Sequence, residues 1–203
     1  FYINISAIVL NNMNNNLDTS GELVVLLDNN GEPIGTQTKK QVHHANTPLH
    51  LAFSCYVFNQ KGQLLLTKRA SVKKVWPNVW TNSFCGHPMP NESFADAIRR
   101  RAGYELGINN VQGISKVIDY KYKTPPYNGI IENEICPVFI AFTDDNNFTP
   151  NPKEVDDYKW VNKQEFYSFI EKNKKVTSYW LNDQLSKMQG ANIDLFLLAS
   201  KNI

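Results

Sequence analysis

The stretch CGHPMPNESFADAIRRRAGYELG, residues 85–107, decides the fold. It begins in a loop and passes through Asn91 and Ser93, either of which can cap a helix. The pattern predicts a helix that ends at Gly107, since glycine readily adopts the left-handed conformation that closes a helix. The loop before it, 71–90, is longer than a compact domain normally keeps without a use, so we expect function there.

Strand-like runs lie on both sides of this helix. In chain order they are LVVLLD (23–28), PIGTQT (33–38), LAFSCYVF (51–58), LLLTKR (64–69), ISKVIDYKYK (114–123), IIENEICPVFIAF (130–142) and DYKWV (157–161). The region 163–200 has a helical pattern. Strands with helices set between and after them indicate the α/β or α+β class.

Length and composition limit the class of protein. With 203 residues, of which 42% are hydrophobic and 20% charged, the chain is long enough for one well-buried core and is neither a disulfide scaffold nor wholly disordered. We expect an Asn-rich, flexible leader over 1–21 and a single catalytic domain over 22–203. No apolar run approaches the ~20 residues that span a bilayer. The chain has three cysteines, a small and odd number that suits a reducing compartment better than a disulfide framework, so the expected location is cytoplasmic.

Charge is unevenly distributed, although the net charge is only +2. Between Lys61 and Arg101, eight basic residues accompany two acidic ones; between Glu132 and Asp157, seven acidic residues accompany one lysine. These regions suit an anionic ligand and cations respectively, or else both are solvated faces that happen to cluster. The basic residues are few and form no basic helix, so we do not expect nucleic-acid binding.

Charged side chains occupy what should be an apolar face of the predicted helix. At about 100° per residue, one stripe consists of Phe94, Ile98, Arg101 and Glu105. Arg101 and Glu105 either form an exposed i, i+4 salt bridge or face inward toward a ligand or metal. The other charged residues of the helix lie away from this stripe, which favours the inward arrangement.

Two carboxylates share one face of the pattern IENEICPVF, because alternate side chains of a strand point the same way. Glu132 and Glu134 would repel each other unless a cation lies between them. The alternative is a frayed, wet strand end. All four histidines lie in 43–50 and 85–88. Imidazoles and carboxylates together suit octahedral Mn²⁺ or Mg²⁺ better than structural zinc.

The three cysteines differ in their sequence context. Cys55 and Cys136 lie inside strand patterns, where we expect buried fillers. Cys85 precedes Gly86 and His87 in the basic region. Because cations or a metal depress the pKa of a thiol, Cys85 is the predicted reactive cysteine.

Several separated motifs follow one another along the chain. They are TKKQVHH (38–44), PLHLAFS (48–54), LLLTKRA (64–70), WPNVWTNSFCGHP (76–88), RRRAGYELG (99–107) and ENEICPVF (132–139). In this order the chain resembles the type I isopentenyl diphosphate isomerases of the Nudix superfamily over about residues 22–180. The resemblance implies a Nudix-type mixed β-sheet sandwiched by helices, with an extra C-terminal helical segment over 163–200.

The Nudix signature of hydrolases is altered in this chain. Laid over residues 86–107, it keeps Glu105, but Arg101 and Tyr104 stand where hydrolases place metal-binding glutamates. The isomerase branch shares this loss. The resemblance therefore favours an isomerase over the alternative function, a Nudix hydrolase of a nucleotide or prenyl diphosphate.

The resemblance implies two metal sites and no flavin. Mn²⁺, Mg²⁺ or Zn²⁺ would be held by His43, His50, His87, Glu132 and Glu134. The seven-residue step to His50 and the position after Lys39-Lys40 favour His43 over His44 as the ligand. A second ion, Mg²⁺, would bridge the diphosphate to Glu105 and to the backbone of Cys85.

The resemblance also implies the residues that act on the substrate. Cations that grip the diphosphate would be Lys39, Arg69, Lys73 and Arg101. Glu134 would protonate C4 of isopentenyl diphosphate, Cys85 would remove a proton from C2, Tyr122 would lie near the acid, and Trp180 would shelter the carbocation. The implied function is conversion to dimethylallyl diphosphate in isoprenoid biosynthesis. We expect a small-molecule diphosphate as the partner, no nucleic acid or membrane, and a monomer or weak homodimer.

Overall fold

The structure, a computed structural model, describes residues 21–202. This part of the chain forms two β-sheets and five helices. The predicted leader lies outside the described residues, except for Gly21. The strands are β1 (Leu23–Leu27), β2 (Pro33–Thr38), β3 (His50–Leu51), β4 (Phe53–Asn59), β5 (Leu64–Arg69), β6 (Trp80–Thr81), β7 (Phe84–Gly86), β8 (Gln112–Ile118), β9 (Lys121–Lys123), β10 (Asn133–Ile135), β11 (Val138–Thr143) and β12 (Val155–Val161). The helices are α1 (Lys39–Val42), α2 (Phe94–Leu106), α3 (Lys163–Asn173), α4 (Tyr179–Gly190) and α5 (Leu195–Ser200), with a 3₁₀ turn over Lys174–Val176.

The two sheets are joined where two neighbouring, parallel segments of the chain each leave the smaller sheet and enter the larger one. The smaller sheet has the order β2-β1-β3-β10-β9, and the larger has the order β12-β5-β4-β11-β8, with β6 on β5 and β7 on β4. The chain passes from β3 to β4 and, in parallel with it, from β10 to β11. Side chains of the smaller sheet are thereby brought next to those of the larger sheet at the junction.

Helices cover both faces of the larger sheet. The central strand β4 is buried along its whole length, and its alternate side chains serve two separate cores. Phe53, Cys55 and Val57 pack with α2, whereas Tyr56 and Phe58 pack with the C-terminal helices. The predicted sandwich with a C-terminal helical segment is confirmed.

The sequence signals of α2 act as predicted. Ser93 is the N-cap, and its Oγ accepts a hydrogen bond from the backbone N–H of Asp96 at 3.1 Å. Gly107 ends the helix with φ 73°, which glycine adopts without the steric cost of a side chain. Arg101 and Glu105 are buried, so the stripe that they share with Ile98 faces inward rather than toward solvent.

Three predicted strands are each divided between the two sheets. The run 51–58 is split between β3 and β4 at Ala52. The run 114–123 becomes β8 and β9, and the run 130–142 becomes β10 and β11, with a break at Cys136-Pro137. The prediction of single strands was wrong, because apolar alternation shows which way side chains point and not which strand the backbone pairs with. Among residues 21–202, no helix has the length and apolar character needed to cross a bilayer.

Candidate active site

Strand register places three candidate residues next to one another in the smaller sheet. Glu134 on β10 is paired with His50 on β3 and with Tyr122 on β9. The Tyr122 hydroxyl donates to Oε2 of Glu134 at 2.9 Å, and Oε1 of Glu134 lies 3.3 Å from Nε2 of both His50 and His87. Glu134 therefore stands between a phenol on one side and imidazoles on the other.

Three imidazoles and Glu134 form a candidate metal site. The ring centroids of His43, His50 and His87 form a nearly equilateral triangle with sides of 5.1, 5.5 and 5.2 Å. With Glu134, each offers one donor atom, and the four atoms lie within 4.8 Å of one another. His44 is elsewhere, with Nδ1 accepting from the backbone N–H of Asn46, so His43 is the histidine in the cluster.

The protonation of these groups fits metal binding. Nδ1 of His43 and Nδ1 of His50 lie 3.0 and 2.9 Å from backbone carbonyls, so when either ring is neutral its lone pair is on Nε2, where it can face a metal. Nε2 of His50 is fully buried and has no hydrogen-bond partner within the described part of the chain. Burial lowers the pKa of His87 to about 4, so its ring is neutral at pH 7. Burial opposes the charge of Glu134, but the neighbouring imidazoles hold its pKa well below the usual range.

Glu132 and Glu105 lie at the edges of this cluster. Oε2 of Glu132 is 3.2 Å from Nε2 of His43, and although burial lowers the pKa of His43, the hydrogen bond and charge of Glu132 raise it overall. Glu105 faces the same cavity from α2. The four-residue set does not include either glutamate.

Cys85 on β7 approaches the cluster from the larger sheet. It is paired with Ser54 of β4, and its Sγ lies 3.3 Å from Oγ of Ser54 and 3.4 Å from Oδ1 of Asn82. Burial raises the pKa of Cys85 to about 12, and the carboxylates of Glu134 and Glu105 add to this effect. The predicted depression of the pKa by nearby cations was wrong, because cations close in sequence do not surround the sulfur. Cys55 and Cys136 are buried, as predicted.

One cavity of about 350 Å³ connects the metal cluster, the thiol and a set of cations. Its apolar wall includes Ala52, Ile130 and Trp180. The Trp180 indole N–H donates to Oδ1 of Asn82 at 3.0 Å, which fixes the ring beside Cys85. All the residues predicted to act on the substrate line this cavity, namely Lys39, Arg69, Lys73, Cys85, Arg101, Tyr122, Glu134 and Trp180.

The lysines at the polar end are paired with carboxylates that the sequence argument did not single out. Nζ of Lys39 lies 3.1 Å from Oε2 of Glu22, and Lys73 forms an ion pair with Glu154. Both glutamates are buried. The charge counts alone could not identify them, because Glu22 precedes the basic region and Glu154 is one of seven acidic residues in the acidic region.

The arginines bind in different ways. Nη2 of Arg101 is 2.6 Å from Oε1 of Glu105, whereas Nη1 is 3.6 Å from Glu22 and, within residues 21–202, has no hydrogen-bond partner although it is buried. Arg69 donates to two backbone carbonyls of the loop 71–79, and its Cζ lies 5.4 Å from the Trp180 ring centroid. One buried guanidinium nitrogen therefore remains available to an anionic ligand.

Comparison with known proteins agrees with this architecture. A family model for the NUDIX domain matches residues 48–182. Among solved structures, protein DR0079 from Deinococcus radiodurans superposes with a TM-score of 0.60 at 17% identity, over 82% of this chain and 98% of that one. The NUDIX domain of Shewanella oneidensis NrtR, solved with ADP ribose, gives 0.51 at 12% identity, over 70% and 86% of the two chains. At these identities the likeness concerns the fold alone.

The fold and the site thus define a NUDIX protein. An isopentenyl-diphosphate Delta-isomerase of Saccharopolyspora erythraea is 48% identical over 174 residues, which is 84% of this chain and 89% of that protein. The enzyme of the same name from Paenarthrobacter aurescens is 46% identical over 171 residues, with 84% and 92% covered. The chain belongs to the isopentenyl-diphosphate Delta-isomerase family.

Proposed function

We propose that this protein interconverts isopentenyl diphosphate and dimethylallyl diphosphate by moving one proton onto C4 and another off C2. One observation carries the proposal: a single cavity holds the Glu134 carboxyl and the Cys85 sulfur beside an aromatic wall, with cations at its other end. The substrate has the same two ends, a diphosphate and a five-carbon alkene. The shared family supports the same reaction.

The polar end of the cavity would bind the diphosphate. Lys39, Lys73 and Arg101 are held by buried carboxylates, so their side chains are ordered before a ligand arrives. The Nη1 atom of Arg101 offers hydrogen-bond donors that the described residues leave unused. Guanidinium groups suit phosphate oxygens because their N–H donors are planar and paired.

The apolar end would hold the alkene and shelter the charge that forms on it. Protonation of C4 leaves a tertiary cation at C3, which water would capture. Trp180 offers an aromatic face that attracts a cation and excludes water, and its bond to Asn82 prevents the ring from turning away. Tyr122 lies on the opposite side, at the acid.

Two proton transfers complete the reaction. Glu134 gives its proton to C4 of the C3–C4 double bond, and the electron pair of that bond forms the new C4–H bond. Cys85, as a thiolate, then takes a proton from C2, and the C2–H electron pair becomes the C2–C3 double bond.

The donor set fits a divalent ion in both charge and geometry. His43, His50, His87, Glu134 and the adjacent Glu132 would hold Mn²⁺, Mg²⁺ or Zn²⁺, which when bound would orient the Glu134 carboxyl and make it a stronger acid. Glu105 would hold Mg²⁺ at the diphosphate. In Nudix hydrolases further glutamates of the signature helix hold metal. Here Arg101 stands at one of those positions and donates to Glu105, which disfavours hydrolysis.

The cellular setting follows from the thiols. All three cysteines are unpaired, as a reducing cytoplasm would keep them, which supports a cytoplasmic enzyme. We propose a monomer or weak homodimer that needs no flavin.

Deuterium incorporation tests the reaction. Isopentenyl diphosphate incubated with the protein and Mg²⁺ in D₂O should give dimethylallyl diphosphate that carries deuterium, detected by NMR. Release of phosphate from this substrate or from a nucleotide, without isomerisation, would instead support a hydrolase.

Replacement of Cys85 tests the assigned base. Cys85→Ala should lower kcat by about 100- to 10,000-fold, the usual contribution of a positioned base, with fold and metal content unchanged. Cys55→Ala, which removes a buried thiol from the α2 core, is the matched control and should keep its activity. Equal activity of the two variants would contradict the role of Cys85.

A further inference from the structure

A chain of buried polar side chains leads from the core of the protein to the sulfur of Cys85. Tyr56, Ser54 and Gln184 each have 0% exposure, although β4 and α4 otherwise contribute apolar groups to this core. A buried polar group that serves only packing is costly compared with an apolar one. Its presence at three linked positions calls for a functional explanation.

The hydrogen bonds of this chain have a direction. The Tyr56 hydroxyl donates to Oε1 of Gln184 at 2.8 Å, and Nε2 of Gln184 donates to Oγ of Ser54 at 2.8 Å. Since Oγ of Ser54 already accepts from Gln184, its own hydrogen is free to point toward a sulfur. Sγ of Cys85 lies 3.3 Å away, and Sγ of Cys136 lies 3.5 Å away.

Asn82 contacts the same sulfur with the opposite polarity. Both of its amide hydrogens are used, because Nδ2 donates to the backbone carbonyls of Cys55 and Phe84 at 3.0 and 2.8 Å. Its Oδ1 accepts from the Trp180 indole and the Thr81 hydroxyl and also lies near Cys85, toward which it can only accept. The sulfur thus has one neighbour fixed as an acceptor and one that is free to donate.

We propose that Ser54, held in place by Gln184 and Tyr56, is a positioning residue for the proton transfer at C2. When Cys85 carries the proton, S–H points to Oδ1 of Asn82; when the proton has left, the Ser54 hydroxyl donates to the sulfur. Both states use the same side-chain positions, so the transfer needs no rearrangement of the core. This inference rests on the proposed function of Cys85.

The main test combines kinetics with an isotope effect. Ser54→Ala should lower kcat by about 10- to 100-fold, as loss of a supporting hydrogen bond at an active site does, with little change in KM. With isopentenyl diphosphate deuterated at C2, the kinetic isotope effect on kcat should rise above that of the wild type, since removal of the C2 proton becomes slower. Ser54→Thr, which keeps the hydroxyl, should restore most of the rate.

Ser83 provides a matched control. It is equally buried, in the bend between β6 and β7, and its hydroxyl makes two hydrogen bonds, to the backbone carbonyl of Leu65 and from the backbone N–H of Val57, both at 2.7 Å. Ser83→Ala should lose stability but keep the wild-type isotope effect. Gln184→Met, which removes the support of Ser54 without touching the cavity, should show the raised isotope effect to a smaller degree and carries the test if Ser54→Ala does not fold.

The outcomes separate this inference from the proposed function. Suppose that the wild type isomerises the substrate and Cys85→Ala loses activity. An unchanged kcat and isotope effect in Ser54→Ala or Gln184→Met would then overturn the role of Ser54 and leave the proposed function standing. A fall in kcat equal to that of Ser83→Ala, with no change in isotope effect, would also overturn it. Absence of isomerisation and exchange in the wild type would overturn both.

Discussion

Glu22 offers a direct test of the charge balance at the polar end of the cavity. It lies just before β1, with 8% of its surface exposed. Its carboxylate is 2.6 Å from Nη1 of Arg100, 3.1 Å from Nζ of Lys39 and 3.6 Å from Nη1 of Arg101. Glu22→Gln keeps the size of the side chain and removes its charge.

The magnitude follows from the pKa. Burial alone would raise the pKa of Glu22 above its ordinary value of 4.5, but Lys39, Arg101 and the hydrogen bond from Arg100 outweigh burial and lower it to about 2. The ionised form is therefore favoured in the folded protein. Its contribution is fully present above pH 4.5 and is lost as the pH falls toward 2. At about 1.4 kcal/mol per pKa unit, this amounts to roughly 3 kcal/mol at pH 7.

Urea unfolding of metal-free protein measures this contribution. The free energy of unfolding of Glu22→Gln should fall below that of the wild type by about 3 kcal/mol at pH 7 and by only about 1 kcal/mol at pH 3. Glu171→Gln, at an exposed position of α3, is the control and should show little difference at either pH. A Glu22→Gln difference that is the same at both pH values would refute the argument.

Two further predictions concern packing and metal. Gly86→Ala should destabilise the protein by about 1–3 kcal/mol in thermal denaturation, because a Cβ there would lie 2.8 Å from Cγ of Arg101 and 2.9 Å from Phe53. Gly190→Ala is the control and should be nearly neutral in the same measurement, because a Cβ there meets nothing within 4 Å. Chelation of divalent ions should lower the Tm by roughly 5–10 °C if the ion had been present at a hundred times its Kd. His50→Ala should abolish that difference, and an unchanged response to chelator would exclude His50 from the metal site.

Features set by local chemistry could be predicted from the sequence. The boundaries of α2 depend on Ser93 and Gly107, whose effects involve only neighbouring backbone groups. The inward stripe of Arg101 and Glu105 follows from helical periodicity. The metal cluster was also predicted, but by resemblance to a family: spacing alone does not show that β3, β7 and β10 bring His50, His87 and Glu134 together.

Features that depend on long-range contacts could not be predicted. The environment of Cys85 is the clearest case, because Lys73 and Arg100, which are near it in sequence, turn toward Glu154 and Glu22, which are remote in sequence. The sulfur instead faces Ser54, Asn82 and the carboxylates. A count of nearby charges along the chain therefore gave the wrong direction for its pKa.

The junction of the two sheets explains how the proposed acid and base come to line one cavity. Glu134 belongs to the smaller sheet and Cys85 to the larger one, and both line the same cavity. The breaks after β3 and after β10, the second of them at Pro137, put the two groups in different sheets. The chain direction is kept across both breaks by backbone hydrogen bonds from Ala52 to Ile135 and from Ser54 to Pro137. The division that sequence patterning overlooked is therefore the feature that lets residues of both sheets contribute to the proposed reaction.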